Sequence, residues 1–348
     1  MNRHPVLLLL ILLMFVVSLL LIGCDSGNSP ANTSVTSDNP NSIRIVTFAP
    51  TLTQMVRDLG FTQNLVGVAE HDVARPSDLP IVGTFFNVDT EKVLSLAPTH
   101  VFILTGKDGA PENLVELAEQ GHFNLYAYHP YPSTLDDALQ ILHNDQLGTL
   151  AESQSSQTGM FTGSNTPGVG QALGKPELAK QLRGKLQQQL LAIQQLTKDQ
   201  PSQSVLMLFG LREPVMASGR DTVNNQLLEI AGGHNAAADS AISAPTFDRE
   251  ALIDIAPDTI LLLLPNAQPL QPDDTRTAAL RSLPIPAAQN GRIHIISDPL
   301  ILIPGSSMAH TAAVFAETLH PGLKASLRAI VAEPLLPAVS AEQSTFNP

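Results

Sequence analysis

At 348 residues the chain is long enough for two domains, and 43% hydrophobic against 15% charged residues describes an ordered globular body. A formal charge of −13 argues against a nucleic-acid partner, because neutralising phosphates takes clustered Lys and Arg. Trp is absent, so a ligand platform has to draw on Phe, His or aliphatic side chains.

The chain opens with Arg3 and His4. An apolar run from Val6 to Ile22, broken only by Ser18, then ends in Leu21-Ile22-Gly23-Cys24. A charged start, an apolar stretch and a small residue before the cleavage point form the secretory pattern. Cys24 is the single cysteine of the chain, which rules out an internal disulfide and places the thiol where a bacterial lipoprotein carries its lipid. The competing reading is an uncleaved membrane anchor, since the run is nearly long enough to span a bilayer. Both readings put the body outside the cytoplasm, and residues 1–24 are taken as a lipoprotein signal with its lipidation site. Residues 25–42, rich in Ser, Asn, Thr and Pro, read as a flexible tether.

From Ile43 short apolar runs alternate with amphipathic ones. Ile43–Phe48, Asn64–Val68, Val101–Thr105 and Phe123–Tyr126 read as strands, with helices over Thr51–Leu59, Glu91–Leu96, Glu112–Glu119 and Leu135–Leu142. That alternation predicts a mainly parallel sheet covered by helices, a first lobe over 43–143. Residues 144–174 are Ser-, Thr-, Gly- and Gln-rich and read as an insertion too polar to form a core. Next, Leu178, Leu182, Leu186, Leu190, Ile193 and Leu196 recur at three- and four-residue spacing, which predicts one long backbone helix within 175–200. A second α/β block, 201–322, has strands at Ser204–Phe209, Thr259–Leu264 and Arg292–Ile296, and the tail 323–348 shows no clear pattern.

The two blocks echo each other. Glu91-Lys92-Val93-Leu94-Ser95-Leu96-Ala97-Pro98 and Glu250-Ala251-Leu252-Ile253-Asp254-Ile255-Ala256-Pro257 align Glu with Glu and Ala-Pro with Ala-Pro at one constant offset. In each, the proline is expected to stop a short helix and force an extended exit into a buried strand. The fold class is therefore α/β, two doubly wound lobes joined by one long helix.

In this order the fragments resemble the helical-backbone class of periplasmic binding proteins, which serve cobalamin, ferric-siderophore and haem importers. Arg44 to Thr53, Leu65 to Val68, Pro80 to Gly83 and Glu91 to Pro98 carry the likeness in the first lobe. Ser218-Gly219, Leu227 to Asn235 and Glu250 to Asp258 carry it in the second, where Phe209 to Glu250 is most similar to cobalamin-binding members. The resemblance implies a monomer that captures a ligand between its lobes and delivers it to the permease subunits of an ABC importer. It places His71, Phe85 and the segment Asp298, Pro299, Leu300, Ile301 and Leu302 at the ligand. By the same likeness Glu91 and Glu250 are docking charges for permease arginines; the residues alone equally allow solvated carboxylates at helix starts. Of the adjacent Phe85 and Phe86 only one can face a cleft, and Asp298-Pro299 is either a contact loop or a turn ending a strand.

The expected ligand is a cobalamin or other corrinoid. The resemblance puts Glu70–Pro76, Thr84–Asn87, Leu211–Pro214 and Asp298–Ile303 at the cleft, and Arg75 and Arg212 are the only basic residues there, whereas an anionic catecholate chelate or haem would recruit more cations. A ferric siderophore, haem, or no ligand at all in a structural envelope lipoprotein are the alternatives. No catalytic residue, metal site or resident cofactor is expected. There is no Gly-x-Ser-x-Gly elbow and no His-Glu-x-x-His helix, and the ten His residues are scattered.

Overall fold

The computed structural model describes residues 42–84, 86–106, 108–128, 132–145, 159–162, 166–240, 242–265, 275–333 and 335. The first lobe comprises β1 (Ile45–Thr47), α1 (Pro50–Asp58), β2 (Leu65–Val68), α2 (Thr90–Ser95), β3 (His100–Leu104), α3 (Glu112–Glu119), β4 (Asn124–Tyr128), α4 (Leu135–Leu142), β5 (Met160–Thr162) and α5 (Val169–Ala172). The backbone helix α6 (Pro176–Thr197) follows. The second lobe holds β6 (Gln203–Leu208), β7 (Val215–Met216), α7 (Val223–Ile230), β8 (Gly233–Asn235), β9 (Thr246–Phe247), α8 (Arg249–Ile255), β10 (Thr259–Leu263), α9 (Ala278–Arg281), α10 (Pro286–Gln289), β11 (Ile293–Ile296), α11 (Met308–Leu319) and α12 (Lys324–Ala332).

Both main sheets are parallel, ordered β2-β1-β3-β4-β5 and β11-β10-β6-β8. Strands buried on both faces need no alternation, and β10 (Thr-Ile-Leu-Leu-Leu) is accordingly buried along its whole length. If β6, β8, β10 and β11 are matched to β1, β2, β3 and β4, the two sheets share one strand order. Their pairing registers correspond too: Ile45 lies beside His100, and Val205 beside Thr259.

The repeat reaches into the backbone. Asp89 caps α2 by accepting from the Lys92 amide at 2.9 Å, and Asp248 caps α8 by accepting from Ala251 at 2.9 Å. Val93 and Leu252 point into the cores at equivalent positions. The extended exit expected before each proline is not what forms. Ala97 and Ala256 both take the left-handed conformation, with φ of 43° and 45°. Each connector is so short that the helix must reverse direction within one residue, which the left-handed end does.

Two further expectations change. The polar stretch 144–174 is not a mere insertion: β5 adds a parallel edge strand beside β4, and Val169 and Leu173 enter the first lobe's core. The tail is not patternless either. Helix α12 packs Leu327 into the second lobe's core, and Gln189 of α6 donates to the carbonyls of Ile330 and Glu333 at 2.9 and 3.1 Å.

Helix α6, about 33 Å long at 1.5 Å per residue, serves both lobes. Ala179 and Leu182 belong to the first lobe's core, while Leu186, Leu190 and Ile193 belong to the second's. Arg183 sits between these two groups, buried, and pairs with Asp136 at 3.2 Å and with Asp145.

On one face of the first sheet His100, Phe102, Tyr126 and Phe161 form a run of stacked rings, His100 lying 5.7 Å from Tyr126. Burial drives the His100 pKa down to about 4, against a smaller opposing pull from the Ala172 carbonyl. A histidine held neutral in this way contributes stability above its unfolded value of about 6.5, and the contribution is lost as pH falls towards 4. The full effect is on the order of 3 kcal/mol. Thermal melts between pH 7 and 4 should therefore show a decline that His100→Phe, which keeps the stacking, flattens; an equal decline in both proteins would remove His100 as its source.

Candidate functional site

Parallel α/β sheets bind ligands beyond the carboxyl ends of their strands. In the second lobe the loops after β6 and β11 and the start of α7 meet there around a cavity of about 440 Å³. Phe209 follows β6. Thr222, Val223 and Leu227 come from α7, and Ile301, Leu302, Ile303 and Pro304 follow β11. The first lobe contributes Pro132 and Ser133, so the cavity opens at the boundary between the lobes.

Each lobe lends a piece of structure to the other at this boundary. Leu135, Ala138 and Leu139 of α4 pack into the second lobe's core, while Ile141 and Leu142 in its last turn stay in the first. In return, the chain leaving Pro304 docks on α1. A Cβ at Gly305 would lie 3.6 Å from Met55 and Thr51, in ordinary van der Waals contact, and the Ser306 hydroxyl donates to Asp58. Burial raises the Asp58 pKa, against hydrogen bonds from Ser306 and Gln54 and the charge of Arg57.

The loop 298–303 is tied from within. One Asp298 oxygen accepts from the Leu300 amide at 2.8 Å, the other lies 2.7 Å from Nε2 of His310 on α11, and Ile303 closes a turn onto the Leu300 carbonyl at 3.0 Å. Of the segment read from sequence, Ile301 and Leu302 reach the cavity wall. Asp298 instead secures the loop, Pro299 is exposed and Leu300 half-buried.

His71 is not on this wall. It sits in a turn after β2, strongly exposed, with Nε2 3.7 Å from Glu70. Its φ of 63° is left-handed, a conformation costing about 1–2 kcal/mol for a residue with a Cβ. Asp72, only 3% exposed, holds the turn in place. Its carboxylate accepts from Thr53 of α1 at 2.6 Å and from the Ala74 amide at 2.8 Å. Burial raises the Asp72 pKa against those two bonds and the nearby Arg75 and Arg57.

Phe85 and Cys24 lie outside the described residues. Phe86, at 92% exposure, stands at the tip of a tight turn. The turn is closed by Thr84 N to Asn87 O at 2.9 Å and by Asn87 N to the Thr84 hydroxyl at 3.0 Å. Gly83 makes it possible: its φ is +99°, and a Cβ would fall 2.3 Å from the Asn87 carbonyl oxygen.

Glu91 and Glu250 are exposed at the second position of α2 and α8. Asp89, before Glu91, donates its amide to Val82, which in turn bonds Val68 at the end of β2. Strand β9, before Glu250, pairs with β7, whose Met216 carbonyl accepts from Phe209 at the end of β6. Each glutamate thus lies at the carboxyl end of its own sheet.

The cavity wall carries Asp221 as its one charged residue and, among the described residues, no Lys, Arg, His or Tyr. No group of three or more His, Cys, Asp or Glu side chains is placed to hold a metal among the described residues. Sequence reasoning missed Pro132, Ser133, Phe209 and the start of α7. Thr222, whose hydroxyl caps α7 by accepting from Asn225 at 3.1 Å, was the available signal for a helix start aimed at the strand ends.

Comparison with known proteins agrees with this architecture. A family model described as periplasmic binding protein matches residues 167–300. A vitamin B12-binding protein of Photorhabdus laumondii is 22% identical over 222 residues, 63% of this chain and 70% of its own length. An uncharacterized ABC transporter substrate-binding lipoprotein of Bacillus subtilis, YvrC, is 23% identical over 288 residues, 80% of each chain. Among solved structures, the periplasmic heme-binding protein HutB of Vibrio cholerae superposes with a TM-score of 0.61 at 24% identity, covering 80% of this chain and 99% of its own. The periplasmic vitamin B12-binding protein BtuF of the same organism gives 0.59 at 17% identity, covering 81% and 98%. The chain has the fold of the two-lobed, helical-backbone periplasmic binding proteins, and the resemblance read from its sequence is borne out.

Proposed function

We propose that this protein is the substrate-binding component of an ABC importer, that it works outside the cytoplasm, and that it takes up a chelate of the corrinoid, haem or siderophore class without transforming it. The observation that carries the reading is a preformed, mostly apolar cavity at the boundary of two lobes braced by one helix. Within that class the wall favours a corrinoid. Among its described residues the wall offers no cation to a carboxylate- or catecholate-bearing chelate, and its one carboxylate, Asp221, faces Arg220 at 3.6 Å, whereas the neutral amides of a corrinoid need only hydrogen bonds and apolar contact. Calorimetric titration of the full-length protein with cyanocobalamin, haemin and ferrichrome should rank the corrinoid tightest. Tighter haemin or ferrichrome binding would reassign the ligand within the class, and no binding of the three at tens of micromolar would overturn the function.

Glu91 and Glu250 are, in this reading, the charges that meet the permease. Their equivalent positions in two related lobes would set one carboxylate on each side of the transporter's axis. Exposed pairs are worth only about 0–1 kcal/mol each and act mainly on encounter rate. Glu91→Ala with Glu250→Ala should leave ligand affinity unchanged while slowing uptake and reducing the effect of salt on docking; normal uptake by the double variant would end the assignment.

Cys24 is proposed as the lipid-bearing residue. Mass spectrometry of the membrane fraction should find a chain beginning at an acylated Cys24, and Cys24→Ser should lack the modification. An unmodified, uncleaved N-terminus in the wild type would refute it.

A further inference from the structure

The cavity has two facing walls, one from each lobe, and a hydrogen bond joins the two helices that carry on from them. The first amides of a helix have no partner within it. Helix α4 satisfies two of its own: the Thr134 hydroxyl accepts from Asp137 N at 3.1 Å, and the Asp137 carboxylate accepts from Thr134 N at 2.9 Å. The Leu135 amide is not one of these two. Its acceptor comes from the other lobe, where Oε1 of Gln226 on α7 lies 2.7 Å away.

Pro132 and Ser133, the first lobe's share of the cavity, directly precede that amide in the chain. Thr222, Val223 and Leu227, the second lobe's share, flank Gln226 on α7. The Leu135 side chain packs against the second lobe's core, which draws α4 towards α7 without dictating how far along it the 132–133 segment comes to rest. Apolar contact is non-directional, and the amide–carbonyl bond supplies the direction.

We propose that Gln226 is a positioning residue for the bound chelate: a strut that holds the Pro132–Ser133 wall at a set distance from the Thr222–Leu227 wall. The proposal rests on the binding function above, and its test separates the two. Full-length wild type, Gln226→Ala and Gln226→Glu are compared, the glutamate retaining an oxygen acceptor at the positive end of α4. Without any ligand, hydrogen exchange at the Leu135 amide should quicken about tenfold in Gln226→Ala and stay near wild type in Gln226→Glu, with the amides of β6 unchanged in both. Cyanocobalamin affinity should fall about tenfold in Gln226→Ala and recover in Gln226→Glu.

Unchanged exchange at Leu135 in Gln226→Ala overturns the strut whatever the ligand. Quickened exchange with unaltered cyanocobalamin affinity overturns the positioning role while the strut stands. If the wild type binds none of cyanocobalamin, haemin and ferrichrome, the binding function falls and takes the positioning role with it, and the exchange result still reports on the strut.

Discussion

Helix α6 has to satisfy two hydrophobic cores with one face of one helix. Ala179 and Leu182 go to the first lobe, and Leu186, Leu190 and Ile193 to the second, so the cores lie end to end along about 33 Å of rigid cylinder. Arg183 marks the junction and finds its partners, Asp136 and Asp145, at the two ends of α4. Once this axis is set, the freedom left to the lobes is small. The start of α4 and the segment after Pro304 remove more of it by docking on the opposite lobe. A cavity bounded by such elements exists before a ligand arrives, which lowers the ordering cost of binding.

The chemistry of that cavity follows from the elements that reach it. Strand ends and the first turn of α7 bring small polar and branched apolar side chains, and three carboxylates of the surrounding loops and helices are already engaged. Asp58 serves Ser306 and Gln54, Asp72 serves Thr53 and Ala74, and Asp298 serves Leu300 and His310. Carboxylates committed to holding loops shape the wall more than they charge it. This division of labour suits recognition by shape and neutral hydrogen bonds.

Much of the architecture was legible in the sequence because it rests on periodicity. Glu112–Glu119 and Leu135–Leu142 form as helices over the residues expected, and the six spaced leucines and isoleucine of α6 predicted it. The paired Glu-to-Pro segments announced a duplication that extends to strand order and register. What escaped depends on contacts between distant residues. His71 drew attention as a ring in a loop, yet the residue that builds the loop is Asp72, whose partner Thr53 is 19 positions away. Ile301 and Leu302, expected at the ligand, line the cavity, whereas Pro132, Ser133 and Thr222 line it without having been expected there, because nothing in a helix start names the helix it will face. Helix α12 was hidden by the proline-rich stretch around it, and the left-handed Ala97 and Ala256 by a rule about residues before proline that the tight connector overrides.

The exchange of structure between the lobes bears on how the molecule comes apart. Proteins built of two domains commonly melt one domain at a time, each keeping a complete core of its own. Here each lobe has one hydrophobic cluster wholly its own, but the two larger clusters draw on shared elements. The second lobe's core includes Ala138 and Leu139 from the first, α6 is divided between the two, and Leu335 near the end of the chain packs against both. Unfolding either lobe strips apolar surface from the other, which couples the two more tightly than domains whose cores are wholly separate.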